Sequence, residues 1–282
     1  MNMLFSILGQ EAVVIAVMCL VFWCIDKKFG YRIAFSFFLS GVTVQILKII
    51  FKVPRPWILS KSIIPSESAK AGATGYSFPS AHTQSATSLY GTLAYNIKKR
   101  AFQLLMLIII LLVAFSRLYL GVHTPLDVSV ALVITFMITV GVNYAIDSGL
   151  VYKYTREQIL AVLLIIPMLM VVVAVIQLKF FFADSENLMD LVKSAGAALG
   201  FSLGWYFESK YVEFDASKGS VVEKIIRVVA GVVILLLIRK LLKPVESTLV
   251  YFGFVRYFVM LFVGIYLYPM IFDKITKGNE KN

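Results

Sequence analysis

The chain has 282 residues, of which 60% are hydrophobic and only 15% charged. A soluble domain carries about 25% charged residues to cover its surface, so this deficit, together with several long apolar runs, places the chain in the membrane class. The 27 Lys and Arg against 16 Asp and Glu leave a net charge of +11; the cations gather at the ends of apolar runs, which fits membrane orientation and anionic lipid headgroups and argues against nucleic acid as a partner.

A helix needs roughly 20 mostly apolar residues to cross a bilayer. In chain order, spans are predicted near residues 9–25, 32–51, 82–97, 102–121, 125–146, 158–178, 188–206, 222–238 and 248–271. The predicted fold is therefore all-α, a polytopic membrane helical bundle of about nine transmembrane helices. The first span holds Cys19 and Cys24, whose i, i+5 spacing points them in different directions, so no disulfide is expected between them. No basic region precedes it and no small-residue cleavage site follows, so it reads as a retained helix and not a signal peptide.

The segment 52–81 carries Pro54, Pro56, Pro65, Gly72, Gly75 and Pro79 and reads as a long loop. The third span carries Thr83, Gln84, Ser85, Thr87 and Ser88, too polar to face lipid but suited to a bundle interior. The stretch Trp205–Asp215 reads as a solvated cytoplasmic turn. Arg256 lies inside the last span, where a cation must snorkel or pair; Glu246 is the candidate partner.

Lysine and arginine in the short loops set the orientation. Lys27, Lys28 and Arg32, then Lys98, Lys99 and Arg100, then Lys153 and Arg156, then Lys210 and Lys218, and the tail Lys274, Lys277 and Lys281 all fall on one side, taken as cytoplasmic. That puts the N-terminus outside, and the 52–81 loop and the Arg117–Thr124 turn on the same outer face. Arg239, Lys240 and Lys243 fall on the unexpected side.

The chain contains two histidines, His82 and His123, both at outer helix ends. Around them stand three polar sets: Lys48 with Arg55-Pro56; Pro79-Ser80-Ala81-His82; and Ser116-Arg117, His123 and Asp127. The second set opens a helix, whose free N–H groups and positive dipole end favour an anion. His123 and Asp127 are four apart and share a helix face. The carboxylate can accept a hydrogen bond from one imidazole nitrogen, which leaves the other as a nucleophile.

Read together as K-x6-R-P, P-S-A-H and S-R-x5-H-x3-D, these sets resemble the signature of the type 2 phosphatidic acid phosphatase superfamily, with Ala81 where glycine is usual. The resemblance covers roughly residues 30–145. It implies a haloperoxidase-like helical core in which His123 is the nucleophile and forms a phosphohistidine, Asp127 orients it, and His82 is the general acid. Lys48, Arg55, Arg117, Ser80 and the N–H groups near Ala81 would hold the phosphate oxygens. Three cations can stabilise a phosphoryl transition state without a metal, so neither metal nor cofactor is expected. The soluble vanadium haloperoxidases share the pattern, but the membrane spans count against that reading.

The expected organisation is an N-terminal transmembrane helix (1–29), a catalytic core (30–147) and further transmembrane helices (148–282). The expected activity is metal-independent hydrolysis of a phosphate monoester or diphosphate of a membrane lipid, such as phosphatidate or a polyprenyl diphosphate, on the extracytoplasmic face of a bacterial plasma membrane. Membrane lipids are the expected partners, and the oligomeric state is left open. A small soluble phosphate ester as substrate, a lipid phosphotransferase, and a non-catalytic lipid-phosphate binder or transporter stay open beside it.

Overall fold

The computed structural model describes residues 2–180, 185–248 and 252–279, and the regular elements among them are all helical. The chain divides into two compact units, one of residues 1–17 and 31–150, the other of residues 18–30 and 151–282.

The first unit opens with a short helix α1 (Asn2–Leu8), separated at Gly9 from α2 (Glu11–Cys24), whose second half passes into the other unit. A Cβ on Gly9 would lie 2.6 Å from Val113 Cγ1 and 2.9 Å from the His82 carbonyl oxygen, so glycine permits this close approach. Helix α3 (Lys27–Phe51) stops where Lys52 enters the left-handed region at φ 48°, two residues before Pro54. The segment read as a plain loop holds two short helices, α4 (Pro56–Leu59) and α5 (Glu67–Ala71). Three longer helices follow: α6 (Ala81–Asn96), α7 (Arg100–Tyr119) and α8 (Pro125–Asp147).

Helix α6 packs against both α7 and α8, and Thr83, Gln84, Ser85, Thr87 and Ser88 are all buried, as their polarity requires. Gln84 donates to the Phe37 carbonyl at 3.1 Å and to Ser40 Oγ at 2.8 Å on α3. Asn96 donates to Asn143 Oδ1 on α8 at 3.0 Å. Between membrane helices, where burial of apolar surface no longer drives association, such bonds and close packing hold the bundle.

The second unit contains α9 (Arg156–Phe180), α10 (Ser185–Phe207), α11 (Val221–Thr248), α12 (Phe252–Phe262) and α13 (Tyr268–Asn279). Helix α10 lies between α9 and α12. Gly196, Gly200 and Gly204 recur every fourth residue on α10. A Cβ on either of the first two would collide with the backbone of Phe254 or Phe258, and one on Gly204 would lie 3.0 Å from Ile265 Cβ. The missing side chains let the two backbones touch.

The stretch predicted as a solvated turn is so in part: Lys210, Tyr211, Glu213 and Asp215 are exposed, but Glu208 is not. After α10 the chain makes a π-turn, Glu208–Val212, in which Glu208 is wholly buried and pairs with Lys27 at 3.0 Å. Phe214 is also buried, edge-on to Phe22 and Phe272. Polarity suggested water, but the Lys27 ammonium compensates the carboxylate inside the unit. Arg256 does not snorkel; it is buried, with its guanidinium 5.1 Å from the centre of the Tyr257 ring. The side chains of Glu246, its predicted partner, and of Lys277 and Lys281 lie outside the described residues.

Cys19 and Cys24 are both buried and unbridged. The first eight predicted spans each fall on a helix, and the described part of the ninth covers α12 and the start of α13. Among the described residues, however, five segments are long and apolar enough to cross a membrane: Lys27–Leu59, Arg100–Tyr119, Pro125–Asp147, Arg156–Lys179 and Phe252–Thr276. The predicted nine is therefore approximate.

Gly200→Ile should push α10 off the Phe258 backbone and lower stability by about 1–3 kcal/mol. Thermal unfolding in detergent checks it; an unchanged midpoint would show that the contact has slack.

Candidate active site

The site assembles at the ends of α3, α6, α7 and α8 in the first unit. Helix α3 carries Lys48 in its last turn, and Arg55 opens the segment that follows. Both are buried, at 4% and 5% exposure. Lys48 Nζ donates to the Tyr76 carbonyl. Arg55 donates through Nε to the Gly75 carbonyl at 3.0 Å and through Nη2 to the Thr74 carbonyl at 2.5 Å. The two cations thus hold the backbone of residues 74–76, and the Ser77 N–H completes the fastening by donating to the Val53 carbonyl at 2.8 Å.

Helix α7 ends with Ser116 and Arg117. The Ser116 hydroxyl donates back to the Val113 carbonyl at 2.6 Å, a local helical bond. Gly121, at φ 67°, turns the chain, and Val122 and His123 follow directly. Thr124 then caps α8 with a reciprocal box. The Asp127 N–H donates to Thr124 Oγ1 at 3.3 Å, and Asp127 Oδ2 accepts from the Thr124 N–H at 2.7 Å. The same Oδ2 accepts from the Ser77 hydroxyl at 2.6 Å.

That carboxylate oxygen lies 3.3 Å from His123 Nδ1. On the other side of the ring, Nε2 is 3.0 Å from Arg55 Nη1, which also donates to the Val122 carbonyl at 3.1 Å. A guanidinium can only donate. Nε2 is therefore the acceptor, the ring proton is on Nδ1, and the proton faces Asp127. Burial is the main reason the His123 imidazole is held well below its usual pKa range; Arg55, Lys48 and Arg117 act in the same direction, against the Asp127 hydrogen bond. His123 is thus neutral, with its Nε2 lone pair beside a fixed cation.

The second set of residues joins through backbone and field. Ser80 is the N-cap of α6: its Oγ accepts from the Thr83 hydroxyl at 3.0 Å and the Thr83 N–H at 3.4 Å. Its own N–H donates to the Asp127 carbonyl at 3.1 Å, which ties the start of α6 to the first turn of α8. Ala81 is the first residue of α6, where alanine fits the helical backbone as well as glycine. His82 follows, within electrostatic reach of Arg117, Arg55 and Lys48. Arg117, 3% exposed, donates through Nη1 to Ser6 Oγ of α1. Of the signature residues that carry fixed charge, three are cations and one is a carboxylate, a balance that favours an anionic ligand.

Two family profiles match the chain: the PAP2 superfamily over residues 29–150, and the PAP2 superfamily phosphatase transmembrane extension over residues 192–280. The chain belongs to the PAP2 superfamily. It is an integral membrane protein with the all-helical PAP2 fold. Sphingosine-1-phosphate phosphatase 2 of Homo sapiens is 25% identical over 88% of this chain and 65% of its own length. A probable sphingosine-1-phosphate phosphatase of Dictyostelium discoideum is 30% identical over 49% of this chain and 36% of its own. Undecaprenyl-diphosphatase of Sulfolobus acidocaldarius is 31% identical over 36% of this chain and 48% of its own. The chain thus spans less than two-thirds of the length of these relatives. No solved structure gives a significant match.

Three site residues of this PAP2 superfamily chain were not singled out from sequence: Ser77, Thr124 and Ser6. Thr124 carries a readable signal, a threonine before proline with an acid three residues on, which is a helix-start pattern. Ser77 and Ser6 carry none, because each acts on a residue far away in the chain.

Isotope-labelled imidazole NMR should find His123 neutral, with its proton on Nδ1, at about pH 6, near the point where an ordinary histidine is half charged. An imidazolium signal for His123 at that pH would contradict the geometry.

Proposed function

We propose that this chain hydrolyses a phosphate monoester or diphosphate of a membrane lipid through a phosphohistidine at His123. The observation that carries the reading is the bonding of one buried ring: Nδ1–H directed at Asp127, and the Nε2 lone pair directed at Arg55. A neutral imidazole that presents an unprotonated nitrogen beside a fixed guanidinium is what attack on a phosphorus flanked by anionic oxygens requires.

In the proposed reaction a phosphate oxygen replaces Nε2 as acceptor of the Arg55 Nη1 hydrogen bond, and Arg55 keeps its proton. Nε2 then attacks phosphorus, and the bond from phosphorus to the lipid oxygen breaks. His82, protonated once the anionic substrate offsets the Arg117, Arg55 and Lys48 charges around it, gives its proton to the leaving oxygen. The imidazole becomes cationic on forming the P–N bond, and Asp127 stabilises that charge through Nδ1–H. Lys48, Arg55, Arg117, the Ser80 hydroxyl and the N–H groups at Ala81 hold the oxygens. Water then attacks phosphorus, loses a proton to His82, and releases phosphate and the free histidine. No step calls on a metal.

The lipid class is supported by the membrane setting and by relatives named for sphingosine-1-phosphate and undecaprenyl diphosphate. Both names denote a phosphorylated head on a long apolar body. In this reading residues 30–147 form the catalytic core, residues 1–29 and 148–282 supply further membrane helices, and the site opens on the extracytoplasmic face of a bacterial plasma membrane.

Purified protein should release phosphate from one or more of phosphatidate, sphingosine-1-phosphate and polyprenyl diphosphate in mixed micelles, and act weakly on a sugar phosphate. His123→Ala should lower the rate by at least about 1000-fold. Activity confined to the sugar phosphate would replace the substrate class, and substantial turnover by His123→Ala would remove the nucleophile.

A further inference from the structure

Arg117 stands in an unusual state. It is almost wholly buried, its Nη1 donates to Ser6 Oγ at 2.5 Å, and its Nε has no hydrogen-bond partner. Buried N–H donors are nearly always satisfied, so one left open beside a cationic site is a place for a ligand oxygen. The other half of the fork is fixed by a residue 111 positions away in the chain.

Ser6 does not reach Arg117 by chance of a loose terminus. Helix α1 packs on α7. Its last carbonyl, Leu8, accepts from the Tyr90 hydroxyl of α6 at 3.0 Å. Gly9 seats the next turn against the Val113 side chain of α7 and the His82 carbonyl of α6. The segment is thus clamped to the two helices that carry Arg117 and His82, and Ser6 itself is buried. The chemistry of its side chain matters too. A hydroxyl accepts a hydrogen bond without neutralising the guanidinium, whereas a carboxylate there would orient the fork but compete with an incoming phosphate.

We propose that Ser6 is a positioning residue for the phosphate site: it holds Nη1 of Arg117 so that Nε is turned to a phosphate oxygen, and α1 is thereby part of the site. This rests on the phosphate-site reading of Arg117 given above.

The test uses orthovanadate, a phosphate mimic, bound to the full chain in detergent and followed by calorimetry, so that it does not need turnover. Ser6→Ala should weaken vanadate binding about tenfold, the size expected for losing one hydrogen bond to a charged group. Ser6→Thr should restore it, and Ser6→Asp should weaken it further than alanine while keeping the fork in place. In an Arg117→Ala background, Ser6→Ala should have no further effect, because the two residues act as one.

Vanadate affinity unchanged in Ser6→Ala, or Ser6 and Arg117 penalties that add in full, would overturn the proposal. So would a fall in melting temperature without a change in affinity, which marks packing alone. If Arg117→Ala itself leaves vanadate binding unchanged, the phosphate-site reading fails and not merely the role of Ser6.

Discussion

One carboxylate oxygen organises the candidate site. Asp127 Oδ2 accepts from the Thr124 N–H, from the Ser77 hydroxyl, and faces His123 Nδ1. The first bond closes the cap of α8, the second anchors the loop that Lys48 and Arg55 hold, and the third sets the imidazole tautomer. A helix start, a loop and a histidine are therefore fixed by the same atom. Because its other partners are rigid, Asp127 cannot rotate away from His123 without uncapping α8. That is the pre-organisation a charge-stabilising site needs before any substrate arrives.

The membrane setting shapes how this is built. Three buried cations beside one carboxylate could not persist in hydrocarbon without partners, so Lys48 and Arg55 bond backbone carbonyls at Thr74, Gly75, Tyr76 and Val122, and Arg117 bonds the Ser6 hydroxyl. The breaker-rich segment 52–81 thereby supplies carbonyls as well as a cover. Beneath it, α6 turns a polar face inward to Ser40 and Asn143 instead of towards lipid. The second unit uses the other device open to membrane helices, the close backbone approach at Gly196 and Gly200.

Much of this was legible in the sequence, for reasons particular to each element. The His123–Asp127 contact was legible in the four-residue spacing, but His123 precedes the N-cap Thr124, so the cap of α8 and not a shared helix face brings the two together. The three motifs lie near one another because each sits at the end of a helix. The polar residues of α6 announced an interior helix. What was not legible depended on contacts between distant residues. Ser77 looks like any loop serine until it is seen against Asp127, fifty residues on. Ser6 reads as part of an apolar start until α1 is folded onto α7. Glu208 has the composition of a solvated turn, and its pairing with Lys27 offsets the cost of burial. The charge of Lys48 and Arg55 points to phosphate, and does not reveal the carbonyls they also hold.

The central claim is that the neutral Nε2 of His123 forms a bond to phosphorus. Rapid quenching of the enzyme with a radiolabelled lipid phosphate, followed by peptide mapping, tests it directly. The account predicts a label on His123 that is stable in alkali and lost in acid, and none in His123→Ala. A label on another residue, or burst turnover with no covalent label at any time, would contradict it.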